Sequence, residues 1–183
     1  MQNPFLIGEK TYLRPVEIDD IDTLVKWTND AKAGSFLWTS FPTNHLREKE
    51  FIEELYTDKT FLPFVIMVKN GDVQIGITAL RKIDQINNQA ELAISIGEKE
   101  YWEKGFGSEA TQLMIDYAFN TLNLHRLYLY LDERAKHRLE AFEQLAFKKE
   151  GILRKAKYEE GEYHDIVIMG LLRTDKRTGL VGE

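Results

Sequence analysis

Lys104-Gly105-Phe106-Gly107-Ser108 follows a β-rich run and opens a helical one. Glycines at alternate positions let a backbone approach a ligand closely, and the free amides of a first helical turn, with the helix dipole behind them, bind anions. A phosphate or pyrophosphate suits such a cradle, while a plain tight turn uses the same glycines; spacing alone leaves both readings open. Two other nucleotide loops fit poorly. The dinucleotide fingerprint tolerates Ala110 at its third small position, but it normally opens its fold, and here two helices and several strands come first. The Gly-Lys-Ser/Thr of a triphosphate loop is missing.

Other chemistries find little support. There is no cysteine, which removes disulfides, thiolate metal sites and a cysteine nucleophile. His45, His125, His137 and His164 are scattered, none within ligand spacing of a second His, so no metal is expected. A Ser-His-Asp hydrolase would need a Gly-x-Ser-x-Gly elbow, and none occurs.

The elements that must hold the glycine loop follow from periodicity. Thr11–Val16 reads as a strand ended by Pro15, and Asp19 or Asp20 caps a helix to about Asp30. Ala33–Thr43, with Phe36, Trp38 and Phe41, is a loop or broken helix whose aromatics are core residues or the wall of a binding pocket. Asn44 caps a second helix to Tyr56, with Leu46, Phe51, Ile52 and Leu55 on one side. The charge run Arg47-Glu48-Lys49-Glu50 and the pair Glu159-Glu160 read as solvated surface. Phe64–Lys69 and Val73–Leu80 around Asn70-Gly71 form a hairpin. Gln89–Ile96 is the next strand, and from Ser108 a helix buries Ala110, Leu113, Met114, Tyr117 and Ala118. His125–Leu131 is a strand, Arg134–Leu145 a helix, and Lys149–Lys157 and Glu162–Leu172 are closing strands. Passage from Ile96 through a helix to Leu127 is a βαβ unit and predicts a parallel pair there. The class is α/β with a mixed sheet, in one domain over 1–173 and a polar tail over 174–183.

With 183 residues, 43% of them hydrophobic, the chain supports one globular core. Its 24 Lys and Arg against 30 Asp and Glu give a net charge of −6, which argues against a nucleic-acid partner and leans towards a cationic one. Neither a signal peptide nor a membrane-length apolar segment is seen, so the expected address is cytoplasmic, with no membrane partner.

In this context the loop Tyr101-Trp102-Glu103-Lys104-Gly105-Phe106-Gly107-Ser108-Glu109-Ala110 resembles that of the GCN5-related N-acetyltransferase (GNAT) superfamily. Leu13-Arg14-Pro15, Gly151 and Gly161-Glu162-Tyr163-His164-Asp165 followed by Met169 are similar to the branch of ribosomal-protein N-terminal acetyltransferases and spermidine acetyltransferases. The resemblance spans about Thr11 to Arg173. It implies a largely antiparallel sheet of six to seven strands with about four helices, and acetyl-CoA as co-substrate. Its pyrophosphate would lie on Glu103, Lys104, Gly105, Phe106, Gly107 and Ser108, and its pantetheine along Ala93, Ile94, Ser95 and Ile96. The acceptor would be a primary amine, on a small molecule, a polyamine or a peptide; a homo-oligomer is implied as well.

The resemblance also implies a glutamate base, which falls on Glu91; the other reading of Glu91 is a strand-edge carboxylate paired with a basic neighbour. A base matters because deprotonating a lysine-like amine at pH 7 costs about 4.6 kcal/mol, against about 1 kcal/mol for an α-amine. On the last helix the family pattern Asn-x-x-(Ala/Ser)-Ile-x-x-Tyr is broken. Its Asn is Ala135 and its acid Tyr is Phe142, which keeps the place beside the cofactor without the proton. Water, Ser95 or Tyr163 could supply one. Otherwise the chain is an acyl-CoA binding module with little or no turnover.

Overall fold

The computed structural model describes residues 1–30, 41–55 and 57–175. Strands β1 (Leu6–Ile7), β2 (Thr11–Pro15), β3 (Leu62–Val68), β4 (Val73–Asp84), β5 (Gln89–Ile96), β6 (Arg126–Asp132), β7 (Lys148–Glu159) and β8 (Glu162–Leu172) form one sheet in the order β1-β2-β3-β4-β5-β6-β8-β7. Neighbours are antiparallel except β5 and β6, the parallel pair that the crossover predicts. The sheet therefore has eight strands rather than six to seven. The extra one, β1, is two residues long and shows no alternation to read.

Helices α1 (Ile21–Asn29) and α2 (His45–Leu55) cover one face, with Leu24, Trp27 and Ile52 buried beneath them. Helices α3 (Phe106–Asp116) and α4 (Lys136–Gln144) cover the other. There Ala110, Met114 and Ala118, at helical spacing, pack on the apolar side of the strands. Strand β6 shows the division: Leu127, Leu129 and Leu131 are buried, while Arg126, Tyr128 and Tyr130 alternate with them on the opposite face.

Entry into α1 is locked by charge. Arg14 forms a two-pronged ion pair with Asp20 at 2.8 and 2.7 Å, both residues being buried, and Asp20 also accepts the Glu17 amide. The structure moves two sequence boundaries. Helix α3 starts at Phe106 instead of Ser108, and β4 runs on to Asp84 through Lys82, whose φ is +50°. Of the aromatic stretch 33–43, Phe36 and Trp38 lie outside the described residues, as do Tyr56 and positions 176–183 of the tail. No helix among the described residues is long and apolar enough to cross a membrane.

Candidate active site

Strand β5 is paired fully on one side and briefly on the other. Against β4 it runs from Glu91 opposite Arg81 to Ile96 opposite Gly76. Against β6 it pairs only at Gln89, Ala90 and Glu91, opposite Arg126, Leu127 and Tyr128, although β5 continues to Ile96 and β6 to Asp132. A gap thus opens between the two strands after Glu91. The amide of Gly97 donates to the Ile75 carbonyl at 2.8 Å, which sets the phase of the antiparallel ladder. Ala93 and Ser95 exchange their bonds with β4, so Leu92, Ile94 and Ile96 turn N–H and C=O towards the gap. Trp102 closes its far end, its indole N–H donating to the Ile96 carbonyl at 2.8 Å.

The glycine loop stands at that end. Gly105 is the N-cap of α3 with φ +85°, a left-handed conformation that favours glycine. Glu103 just before it also has positive φ, at +58°. The first bond inside the helix runs from the Glu109 amide to the Gly105 carbonyl at 3.0 Å, so the amides of Phe106, Gly107 and Ser108 point out of its end. No side chain caps them. Glu109 turns away, accepting the backbone amides of Glu9 and Lys10. The loop is anchored by an edge-on contact of Tyr101 and Phe106, 5.4 Å apart. A Cβ on Gly107 would come 3.6 Å from Ile96 and 3.9 Å from Ile94, so the open helix end sits directly on the gap strand. Glu103, Lys104, Gly105 and Ser108 are exposed.

On the α1/α2 face a cleft of about 760 Å³ lies over β4 and β5, with Thr78, Ala93, Ile94 and Ser95 among its lining and Phe41 and Glu48 on the helix side. Ser95 is 6% exposed, and Thr78 donates to the Ala93 carbonyl at 3.0 Å. Glu91 is 2% exposed and ion-paired with Arg81 and with Lys82, whose ammonium is 2.9 Å away. The basic-neighbour reading of this carboxylate is thus realised in its contacts. Opposite it on β6 stands Tyr128, whose hydroxyl is pushed up by burial and by the Glu91 charge. Tyr130 meets Tyr128 edge-on at 5.8 Å.

The structure brings Ala93, Ile94, Ser95 and Ile96 together with Glu103–Ser108 around the gap, and puts Glu91 where the gap begins. Phe142, on α4, is buried in the core cluster that also holds Leu92, edge-on to Phe147 at 5.4 Å. Tyr163 is exposed and packs on Tyr158, its partner across β7 and β8, with ring centroids 4.9 Å apart.

Two residues carry more than the sequence suggests. Glu48, within the charge run read as solvated, is buried, whereas Leu46 is exposed. The inward face of α2 is Glu48, Ile52 and Leu55, spaced by four and three, and it displaces Leu46 from the expected apolar side. Burial pushes the Glu48 carboxyl above its usual range, and among the described residues no cation is paired with it. Arg138 on α4 reaches the Ile94 carbonyl, its Nη2 at 3.4 Å. The polar alternation of Arg126, Tyr128, Tyr130 and Asp132 is the signal that could have exposed the tyrosines; nothing in the sequence marks Arg138.

Comparison with known proteins finds a match to an acetyltransferase (GNAT) domain over residues 10–148. The chain is 31% identical over 173 residues, 93% of its length and 97% of the relative's, to an uncharacterized N-acetyltransferase, p20, of Bacillus licheniformis. It is 28% identical over 158 residues to spermidine N(1)-acetyltransferase of Escherichia coli K12, covering 86% of this chain and 83% of that one. Among solved structures it matches spermidine N-acetyltransferase of Vibrio cholerae in complex with CoA and spermine, at a TM-score of 0.86 and 25% identity over 92% of this chain and 98% of that one.

Proposed function

The chain belongs to the GNAT acetyltransferase family, and on that premise we propose that its acceptor is a small amine with a second positive charge, of the polyamine class. It is an N-acetyltransferase that moves an acetyl group from acetyl-CoA to an amine. Relatives of that activity across nearly the whole chain do not favour a module that only binds acyl-CoA.

The site suits the co-substrate on physical grounds. Uncapped amides at Phe106, Gly107 and Ser108 offer a pyrophosphate the positive end of α3, with Lys104 exposed beside them. The unpaired edge of Leu92 and Ile94 offers an extended pantetheine the bonds of an added strand. Glu91 is the base in this reading, reaching the acceptor nitrogen through water from its ion pairs with Arg81 and Lys82. Ser95, under the cleft, presents a hydroxyl to the same region.

One observation supports a polycationic acceptor: Glu48, a buried carboxylate lining the cleft with no cation paired to it among the described residues. A second ammonium on the acceptor would supply the missing charge, as the net charge of −6 also favours. The name of the Escherichia coli relative and the spermine bound to the Vibrio cholerae protein agree with this. Thiol release from acetyl-CoA over a panel of triamines, monoamines of equal length and peptide N-termini tests it. Triamines should lead by about tenfold, the effect of about 1.4 kcal/mol; a lead by peptide α-amines would overturn the reading. A cytoplasmic address and a homo-oligomer belong to the same proposal, the latter supported by Ile152 and Leu153 exposed on β7. Light scattering checks the oligomer.

A further inference from the structure

Helix α4 presents an arginine to the open edge of β5. Arg138 Nη2 lies 3.4 Å from the carbonyl oxygen of Ile94, a group turned into the gap beyond the last residue paired with β6. Arg138 precedes Phe142 by four residues, so both occupy the same side of α4. The two part company there: the phenyl ring enters the core against Phe147, and the longer side chain extends to the gap. Burial lowers the guanidinium to about 10, which leaves it charged at neutral pH.

We infer that Arg138 faces the sulfur of bound acetyl-CoA and stabilises the departing thiolate. This rests on the proposed placement of pantetheine along Leu92–Ile96. The amine nitrogen bonds to the acetyl carbon as the carbon–sulfur bond breaks, the electron pair of that bond leaving on sulfur. The proton shed by the nitrogen ends on the thiolate, so the products are an amide and a free thiol, and Arg138 neither gains nor loses a proton. A fixed cation suffices because a thiol with pKa about 8.5 is a good leaving group near neutral pH. Preorganised charge at a developing anion is the device that replaces an acid here.

Other charged and titratable groups sit on the elements that border the gap: Glu91 on β5, Arg81 and Lys82 on β4, Tyr128 and Tyr130 on β6, Lys104 before α3, and His137, the neighbour of Arg138 in sequence, on α4. Arg81 and Lys82 are paired with Glu91, and Arg138 is in contact with the open edge itself.

The test compares CoA with desulfo-CoA, in which hydrogen replaces the thiol, by titration calorimetry from pH 6 to 9. A cation beside the sulfur lowers the thiol pKa. In the unaltered protein the preference for CoA over desulfo-CoA should therefore grow with pH, about tenfold for each unit of lowering. Arg138→Met, which keeps most of the volume, should flatten that dependence, and Arg138→Lys should retain part of it. Turnover of acetyl-CoA in Arg138→Met should fall about 10²–10³-fold, with its KM little changed. If Arg138→Met kept the pH-dependent preference, or bound acetyl-CoA more tightly with undiminished turnover, the inference would be wrong and Arg138 would be a plug in the gap. Binding of neither CoA nor desulfo-CoA to the unaltered protein would overturn the site reading itself, and this inference with it. Should Arg138→Met fail to fold, the same pH series on Arg138→Lys decides.

Discussion

Two buried carboxylates stand at or beside the cleft over β4 and β5, and the protein keeps them in opposite ways. Glu91 has its counter-charges built in: Arg81 and Lys82, which line the cleft, hold it from in front. Glu48 has none among the described residues, and burial pushes its carboxyl up. A carboxylate with two cations is a finished electrostatic unit, able to fix charge and orient water. One held by a Thr43 hydrogen bond but by no cation keeps a desolvation cost that a ligand's ammonium can offset. In the proposed function the first belongs to the reaction whatever the acceptor, and the second selects the acceptor.

The largest effect that would sharpen this contrast comes from Glu91→Ala. Removing one member of a fully buried pair costs about 3–5 kcal/mol. Here Arg81 is 28% exposed and water can reach it, so urea unfolding should show a loss of about 2 kcal/mol. Turnover should fall by about 10² or more, as for a lost base. Retained turnover would leave Glu91 a structural residue only.

Glu48→Gln should behave differently. The empty protein at pH 7 should be no less stable, since a desolvated charge is removed, while KM for a triamine rises by about tenfold and that for a monoamine barely moves. Equal changes for both amines would break the comparison.

The same residue predicts a pH effect. Its folded-state pKa is raised from 4.5, so the folded state holds the proton more tightly than the unfolded state. Its contribution to stability is full below 4.5 and is lost as pH rises through the folded value. Thermal melts of the unaltered protein and Glu48→Gln should therefore diverge above pH 4.5, in favour of the variant. At a pH where the folded Glu48 still holds its proton, a triamine should draw that proton off, seen in calorimetry as a buffer-dependent heat. The smallest effect belongs to Lys82→Ala. Lys82 is 69% exposed, so its loss should cost under about 1 kcal/mol. A larger cost would mean that Arg81 does not hold Glu91 alone.

Much of the framework was legible because local rules decide it. Asn70-Gly71 gave the β3–β4 hairpin, the spacing of Ala110, Met114 and Ala118 gave α3, and Gly105 is a glycine because φ is +85° there. The gap was not legible from periodicity, since where β5 and β6 stop pairing depends on two strands that a whole helix separates in sequence. Only the family resemblance pointed to Ala93–Ile96. Glu48 was misread because a charge run looks solvated until the helix phase set by Ile52 and Leu55 turns one member inward. Phe142 takes its place beside the cofactor only from position in a motif, and its packing against Phe147 was not legible there.

The gap has a further consequence for how copies of this chain behave towards one another. An unpaired strand edge is ordinarily an aggregation hazard, since it can template another chain. The outer edges of this sheet are poor templates: β1 is two residues long, and β7 is interrupted by register shifts and carries Lys148, Lys149, Arg154, Lys155 and Lys157. The edge most ready to accept a strand lies inside the sheet, between β5 and β6 and beside Arg138. A slender extended arm can enter there and a folded neighbour cannot, so strand addition is reserved for a small molecule and withheld from other proteins.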